Sequence, residues 1–220
     1  MRRVLLSPHP DDAVWSCGGM LRRWAGHGEL VVATVFDGGT PRRRDEDEAA
    51  LSQWGLAPVS LRFTDAADRR DENGRPLYAG PLALRRAPHP ADRVLVDRVA
   101  DRLRDVIAGC NLLLLPLAER THVDHRITRL AAEDAVGQAP PVIRYYREFP
   151  YAPPASPGYR SQEQDADFGA WLRGSLAYTS QVEAMFGTSA AFARRLREHS
   201  GPPGRSRWHY WEAVPTHAAT

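Results

Sequence analysis

The amino-acid sequence predicts an α/β fold in which helices cover a mostly parallel sheet. Short apolar segments, such as residues 30–36 and 112–115, recur along the chain and are typical of buried strands. Between them lie segments with apolar residues at helical spacing, so strands and helices alternate as in βαβ units. The length of 220 residues fits one domain with a core of ordinary size.

The predicted elements of the first third follow one another through short connections. They are a strand at 3–7, a helix from Asp11 or Asp12 to about 27, a strand at 30–36, a helix from about 40 to about 55, and a strand at 59–63. The proline-containing turn after residue 7 ends the first strand, and the β-branched residues of 30–36 favour the second. In the first helix, Val14, Leu21 and Trp24 lie on one face.

Residues 64–90 are interpreted as a long loop, because they carry few apolar positions and several Gly, Pro and Asp residues. A loop of this length in a compact domain usually borders a site or is mobile. The next predicted elements are a helix at 92–108, a strand at 112–115, a helix at 123–136 and a strand at 142–146. A proline-rich surface loop at 149–159, helices from about 165 to 199, a flexible link and a last apolar segment at 208–214 complete the chain.

Composition and charge exclude several classes of function. All 29 basic residues are arginine, so no lysine is present to act as a Schiff base or general base. The formal net charge of +2 gives no electrostatic basis for binding nucleic acid or an anionic membrane. No apolar run reaches the ~20 residues of a membrane span or the ~7 of a signal-peptide core at the N-terminus, so we expect a cytoplasmic protein. Cys17 and Cys110 are expected to be reduced, buried thiols.

Reactive side chains are concentrated in two segments, each directly after a predicted strand. SPHPDD at 7–12 follows the first strand, and THVDH at 121–125 follows the fourth. Ligands of open α/β sheets bind beyond the carboxyl ends of the strands, so both segments are expected at one edge of the sheet. Two imidazoles and one carboxylate can hold a divalent metal with an open position for water, and a further acidic group can take the water's proton. The two segments therefore predict a metal-dependent hydrolase.

These segments resemble the motifs of a known family. SPHPDDA and HVDH are similar to the (A/S)HPDDE box and the downstream HxDH of the LmbE-like or PIG-L de-N-acetylases, which act on N-acetylglucosaminyl-phosphatidylinositol and related amides. Weaker matches span most of the chain: Arg43-Arg44-Asp45-Glu46-Asp47, Trp54-Gly55, Tyr145-Tyr146, Phe149-Pro150-Tyr151 and Tyr178-Thr179-Ser180-Gln181. The resemblance implies a single Rossmann-like three-layer sandwich over residues 1–220, with a mostly parallel sheet.

The resemblance also implies a role for each matching residue. His9, Asp12 and His125 would hold Zn²⁺, or alternatively Fe²⁺ or another divalent metal. Asp11 would be the general base, His122 would stabilise the oxyanion or protonate the leaving amine, and Asp124 would accept a hydrogen bond from an imidazole. Substrate contacts would come from Arg44 (or its neighbour Arg43), Tyr178 and Gln181. The implied reaction is removal of an acetyl or other acyl group from the nitrogen of an amino sugar or related N-acyl metabolite, in secondary metabolism or thiol-cofactor chemistry.

The sequence departs from the family pattern at two places. Ala13 replaces the glutamate that usually follows the two aspartates, which puts the polar support of the pocket or the substrate preference in doubt. Some members carry a tyrosine shortly before the HxDH histidine, where this chain has Glu119-Arg120-Thr121. Any role of that tyrosine must fall to another residue or be absent.

Three functions other than hydrolysis are compatible with parts of this sequence. A non-haem Fe(II) oxygenase also uses two histidines and one carboxylate, although by fold-level analogy such enzymes are all-β. A non-catalytic binding relative would be expected to lack a ligand or the base, and none is missing. A dinucleotide-binding domain is rejected, because Cys17-Gly18-Gly19 lies inside the first helix and no GxGxxG follows the strand. The expected partner is a small-molecule N-acyl substrate, and the sequence is compatible with a homo-oligomer.

Overall fold

A mostly parallel sheet runs through the middle of the protein. The computed structural model describes residues 1–37, 40–119, 121–137, 140–151, 158–201 and 205–214. Within these residues the strands are β1 (Arg2–Ser7), β2 (Glu29–Thr34), β3 (Pro58–Ser60), β4 (Leu112–Pro116), β5 (Val142–Tyr146), β6 (Tyr159–Asp165) and β7 (Arg207–Ala213). They form one sheet in the order β3-β2-β1-β4-β5-β7-β6. The first five strands pair in parallel, whereas β7 is antiparallel to both β5 and β6.

Helices cover both faces of this sheet. They are α1 (Asp12–Ala25), α2 (Pro41–Ser52), α3 (Arg93–Ile107), α4 (Val123–Ala135), α5 (Phe168–Ser175), α6 (Thr179–Phe186) and α7 (Ser189–His199). Successive residues of a strand point to opposite faces. Accordingly, Val4 and Leu6 of β1 pack with α3 and α4, whereas Leu5 packs with α1 and α5. The predicted α/β class and three-layer arrangement are therefore confirmed.

The central strands β1 and β4 lie side by side although more than a hundred residues separate them. The chain first builds outwards from β1 through β2 to β3, and then returns to add β4 and β5 on the other side. The strand order thus reverses between β1 and β4, and such a switch point leaves a crevice at the carboxyl ends of the strands. All five residues of β4 are buried, as expected for a strand covered on both faces.

The sequence-based prediction was wrong for the C-terminal strands. Residues 159–165 form β6, a polar strand at the edge of the sheet, where the prediction had the end of a loop at 159, the start of a helix at 165 and no element between them. The last apolar segment, expected to follow a flexible link, is β7, which inserts between β5 and β6. Both strands depend on pairing partners far away in the sequence, which a local pattern does not reveal. Residues 152–157 of the predicted proline-rich loop and 202–204 of the predicted link lie outside the described residues.

The long segment after β3 contains short 3₁₀ helices at Ala66–Asp68, Ala83–Arg85 and Pro90–Asp92 rather than longer elements. Cys17 and Cys110 are both free and buried, as predicted. In the part of the chain that the structure describes, no helix has the length and apolar character needed to cross a membrane.

Candidate active site

The two reactive segments meet at the switch point of the sheet. SPHPDD forms the connection from β1 to α1, and THVDH leads from β4 into α4. Ser7 shapes the first turn, because its hydroxyl donates to the carbonyl of His9 and accepts the backbone N–H of Ala13 at 2.9 Å. Ala13, which stands at the position of the family glutamate, is fully buried in the hydrophobic core beside α5.

His9, Asp12 and His125 form a compact set of metal-binding groups. Their donor atoms all lie within 4.8 Å of one another, and the three residues are buried. Asp12 Oδ2 is 3.1 Å from His9 Nδ1 and 3.1 Å from His125 Nε2. Two ligands of a tetrahedral zinc ion with bonds of about 2.0–2.1 Å lie about 3.4 Å apart, so the spacing fits a shared divalent ion.

A second set, His9, Asp65, His122 and Asp124, shares one histidine with the first. Asp124 is already engaged by protein donors: Oδ1 accepts from Arg69 Nη1 at 2.6 Å, and Oδ2 accepts from the backbone N–H of Ala66 at 2.9 Å. Its Oδ2 also lies 3.1 Å from His9 Nε2. We interpret Asp124 as a hydrogen-bond partner of His9, because its oxygens already accept protein N–H groups.

His125 has a carboxylate partner of its own. Its Nδ1 lies 3.2 Å from Glu148 Oε1, a fully buried oxygen that the sequence interpretation did not include. The two histidines of the compact set are therefore each held between Asp12 on one ring nitrogen and another carboxylate on the other. Carboxylate–histidine pairs of this kind are the usual outer support of metal-binding imidazoles.

His122 begins α4 as its N-cap residue. Its Nδ1 accepts the backbone N–H of Asp124 at 3.2 Å, so a neutral ring carries its proton on Nε2. The ring packs edge-on against His9 with centroids 5.0 Å apart and borders the site cavity. His122 is thus both a helix cap and a side chain of the site.

Asp11 and Arg43 lie on the other side of the cavity. Arg43 Nη2 is 3.4 Å from Asp11 Oδ1, and Arg43 Nη1 is 3.8 Å from Asp65 Oδ2. Asp65 Oδ2 also approaches His9 Nε2 to 3.3 Å. Arg44, the substrate-binding residue of the sequence interpretation, instead donates to the carbonyl of Asp37 and is absent from the cavity lining among the described residues.

The groups border a cavity of about 160 Å³. Its polar lining consists of His9, Asp11, Asp12, Arg43, Asp65, His122, His125 and Gln181, and its apolar lining of Trp15, Phe149, Pro150, Tyr151 and Met185. The segment after β3 thus contributes to the site, as does the described part of the predicted proline-rich loop. Gln181 reaches the cavity, whereas Tyr178 is buried beneath it.

The RRRDED and YTSQ segments are bound to each other. Glu46 Oε1 accepts the hydroxyl of Thr179 at 2.8 Å and the backbone N–H of Ser180 at 2.9 Å, and Glu46 Oε2 accepts the Ser180 hydroxyl at 2.6 Å. Beside it, Tyr178 donates its hydroxyl to Asp47 Oδ1 at 2.6 Å. These contacts join the start of α6 to α2, the helix that carries Arg43.

Buried carboxylates around His9, Asp12 and His125 stabilise positive charge at this position. Burial alone lowers the pKa of His9, but Asp65, Asp12 and Asp124 outweigh it and hold the pKa well above the usual value. In the same way burial lowers the pKa of His125, and the opposing effects of Asp12 and Glu148 raise it to about 9. A centre that stabilises positive charge in this way suits a divalent cation.

The pKa values of Asp11 and His122, which lie beside that centre, shift in opposite directions. Burial raises the pKa of Asp11, although the Arg43 guanidinium opposes this effect. Burial and the neighbouring His9 lower the pKa of His122 to about 4.

The structure brings together His9, Asp11, Asp12, His122, Asp124, His125 and Gln181 of the predicted site. The sequence interpretation missed Asp65 and Glu148 and ranked Arg44 before Arg43. The only sequence signal for Asp65 was its place directly after the predicted third strand, at the same edge of the sheet. Glu148 follows the predicted strand at 142–146 in the same manner, but neither lies in a recognisable motif.

Comparisons with known proteins agree with this geometry. The model of the PIG-L family, described as GlcNAc-PI de-N-acetylase, matches residues 4–136. A 2'-N-acetylparomamine deacetylase of Streptomyces fradiae is 32% identical over 171 residues, which cover 69% of this chain and 58% of that protein. A 2'-N-acetylparomamine deacetylase of Niallia circulans is 27% identical over 190 residues, 67% of this chain and 66% of that protein. The chain thus spans roughly three fifths to two thirds of these curated relatives.

Solved structures show the same architecture. Two crystal structures of a deacetylase from teicoplanin biosynthesis, one described as its zinc inhibited form, superpose with a TM-score of 0.83 at 27% identity. The match covers 100% of both chains. The family model covers more than half of this chain and includes both reactive segments. On this evidence the chain belongs to the PIG-L family of GlcNAc-PI de-N-acetylases.

Proposed function

We propose that this chain is a divalent-metal-dependent hydrolase that removes an acetyl group from the amide nitrogen of an amino sugar. The observation that carries the proposal is the compact His9, Asp12 and His125 set at the switch point of the sheet, with Asp11 and His122 on the same cavity. A parallel α/β sheet and membership of a deacetylase family support hydrolysis over the oxygenase alternative.

His9, Asp12 and His125 would hold the metal, for which zinc and Fe(II) are the candidates. When bound, such an ion polarises the amide carbonyl and lowers the pKa of a coordinated water. Asp11 would accept a proton from the water that attacks the carbonyl carbon. The amide C–N bond then breaks, the nitrogen takes up the proton that Asp11 would have accepted, and acetate and a free amine leave. His122, as a neutral ring with its proton on Nε2, would donate a hydrogen bond from that N–H to the oxygen or nitrogen on which charge develops.

The lining of the cavity supports a hydroxyl-rich substrate. Arg43 offers donors and Asp65 offers acceptors at one wall, and Gln181 offers both. Apolar side chains, including Phe149 and Met185, provide a surface for the acetyl methyl group. The curated relatives act on N-acetylated paromamine, an amino sugar derivative by its name, and we propose a substrate of this class.

The test is to incubate the metal-loaded protein with a panel of N-acetylated amino sugars, and to measure acetate and free amine. The panel includes a simple N-acetylglucosamine glycoside, an N-acetylated aminoglycoside and an N-acetyl amino acid as a substrate without a sugar. We expect deacetylation of at least one sugar and loss of activity after chelation. His125→Ala serves as the matched control and is expected to bind no metal tightly. Full activity after exhaustive chelation would contradict the proposal, as would inactivity of the metal-loaded protein on every sugar.

A further inference from the structure

We propose that Glu148 is a positioning residue that orients His125 for metal binding and anchors the loop that carries His122. This inference rests on the proposed function, because it assigns a role toward the same metal. It concerns a residue outside both reactive segments. Glu148 lies two residues after the end of β5, which is the strand next to β4.

One oxygen of Glu148 contacts three groups, two in the connection between β4 and α4 and one in the first turn of α4. Oε1 accepts the backbone N–H of Ala118 at 2.9 Å and the Thr121 hydroxyl at 3.2 Å, and lies 3.2 Å from His125 Nδ1. Ala118 has a φ of +55°, a left-handed conformation that a residue with a side chain rarely adopts. The hydrogen bond from its N–H helps to hold the chain in that conformation. Glu148 therefore constrains both the start of this loop and the histidine at its end.

The complete burial of Glu148 indicates that its negative charge has a role, because an apolar side chain would fill the same space at lower cost. Its side chain is 0% exposed, and a buried carboxylate is costly unless it is paired and hydrogen-bonded. Among the described residues, the ion pair recorded for Glu148 is with His125 and not with an arginine. The negative charge of Glu148 is thus stabilised by positive charge on His125, or on a metal ion that His125 binds.

The geometry also determines which nitrogen of His125 is free. When His125 is neutral as a metal ligand and its Nδ1–H is directed at Glu148, the lone pair lies on Nε2, the nitrogen that is 3.1 Å from Asp12 Oδ2. That is the nitrogen in the compact metal-binding set. A negative acceptor on Nδ1 also raises the basicity of the ring as a ligand, and loss of such a partner typically costs ~10- to 100-fold in metal affinity.

The experiment compares Glu148→Gln with Thr121→Val by competition of the full chain with a zinc indicator. Gln retains the size of Glu and an acceptor oxygen but removes the charge, so we expect ~10-fold or more loss of zinc affinity, within the range typical of such partners. Thr121→Val removes another partner of the same oxygen and leaves the His125 contact, so its zinc affinity is expected to match the wild type. Thermal unfolding in excess chelator is expected to show both variants folded.

A second measurement examines the wild-type protein instead of Glu148→Gln and Thr121→Val. In zinc-loaded wild-type protein labelled with ¹⁵N-histidine, long-range ¹H–¹⁵N spectra are expected to show a protonated Nδ1 and a metal-bound Nε2 for His125, assigned with His125→Ala. A metal-bound Nδ1 would overturn the proposal, and so would equal zinc affinity of wild type and Glu148→Gln. If the wild type itself binds no zinc or Fe(II), the proposed function fails as well. Metal binding by the wild type therefore distinguishes failure of the Glu148 proposal from failure of the proposed function.

Discussion

Asp11 and Asp12 are neighbours in the sequence but face different partners. Asp12 is the first residue of α1, and its Oδ2 accepts the backbone N–H of His9 at 2.9 Å while facing both histidines of the metal-binding set. Asp11 precedes the helix, and its carboxylate contacts Arg43 at the wall of the cavity. The local turn thus separates a ligand from a group that can act as a base.

The first prediction follows from this division. Asp11→Asn is expected to retain bound metal and to lower kcat by ~10²- to 10⁴-fold, the usual contribution of a positioned general base. Asp12→Asn is the matched comparison, and it is expected to weaken metal binding because a ligand is altered. Metal content by elemental analysis and kcat on the best sugar substrate distinguish the two. A near-normal kcat in Asp11→Asn would show that the base lies elsewhere.

The second prediction separates the two roles of His122. Asparagine is among the best N-cap residues, so His122→Asn preserves the cap of α4 while it removes the imidazole. We expect unchanged melting temperature and metal content, and a fall in kcat of ~10²- to 10³-fold, as for loss of one donor to a developing oxyanion. An unchanged kcat would mean that His122 only caps the helix.

At the scale of elements, α1 and α5 pack unusually closely through glycine. Trp171 of α5 is fully buried against Gly18 and Gly19 of α1, and its indole N–H donates to the carbonyls of Val14 and Trp15 at 3.0 Å. A Cβ at Gly18 would lie 2.5 Å from the indole ring. Helix packing therefore explains why glycine occupies positions 18 and 19.

The third prediction tests this contact. Gly18→Ala forces the rigid indole to move and is expected to lower the free energy of unfolding by about 1–3 kcal/mol, the usual cost of overpacking. Gly26→Ala at the end of the same helix is the control, because its Cβ would meet nothing closer than 3.8 Å. Chemical denaturation measures both variants. Equal stability of Gly18→Ala and wild type would show that the helices separate without cost.

At the scale of the whole molecule, α7 packs against α5 and α6. His199 at its end contacts Phe149 at a centroid distance of 5.2 Å and Trp171 at 6.0 Å. Burial, and after it the charges of Arg147, His209 and Arg195, lower the pKa of His199 to about 3. The folded protein therefore keeps this ring neutral.

The fourth prediction concerns the pH dependence of stability. An unfolded chain binds a proton at His199 near pH 6.5, whereas the folded chain does so only near pH 3. The contribution of this group to stability is thus complete above pH 6.5 and is lost as the pH falls towards 3. His199→Phe keeps the aromatic contacts and removes the titration, so its stability is expected to fall less steeply than that of the wild type over this range. Parallel slopes in denaturation experiments from pH 7 to 4 would contradict this assignment.

The sequence by itself determined the alternation of strands and helices, because buried strands and amphipathic helices are encoded by local apolar patterns. It also determined where the polar groups of the site meet, since the imidazoles and carboxylates of SPHPDD and HVDH follow two strands that end at one edge. Only the tertiary structure decided which groups face each other. The rotation of α2 directs Arg43 rather than Arg44 into the cavity, and the register of β5 against β4 brings Glu148 beneath His125. The places of β6 and β7 were likewise decided by pairing, because hydrogen bonds between distant strands leave no local pattern.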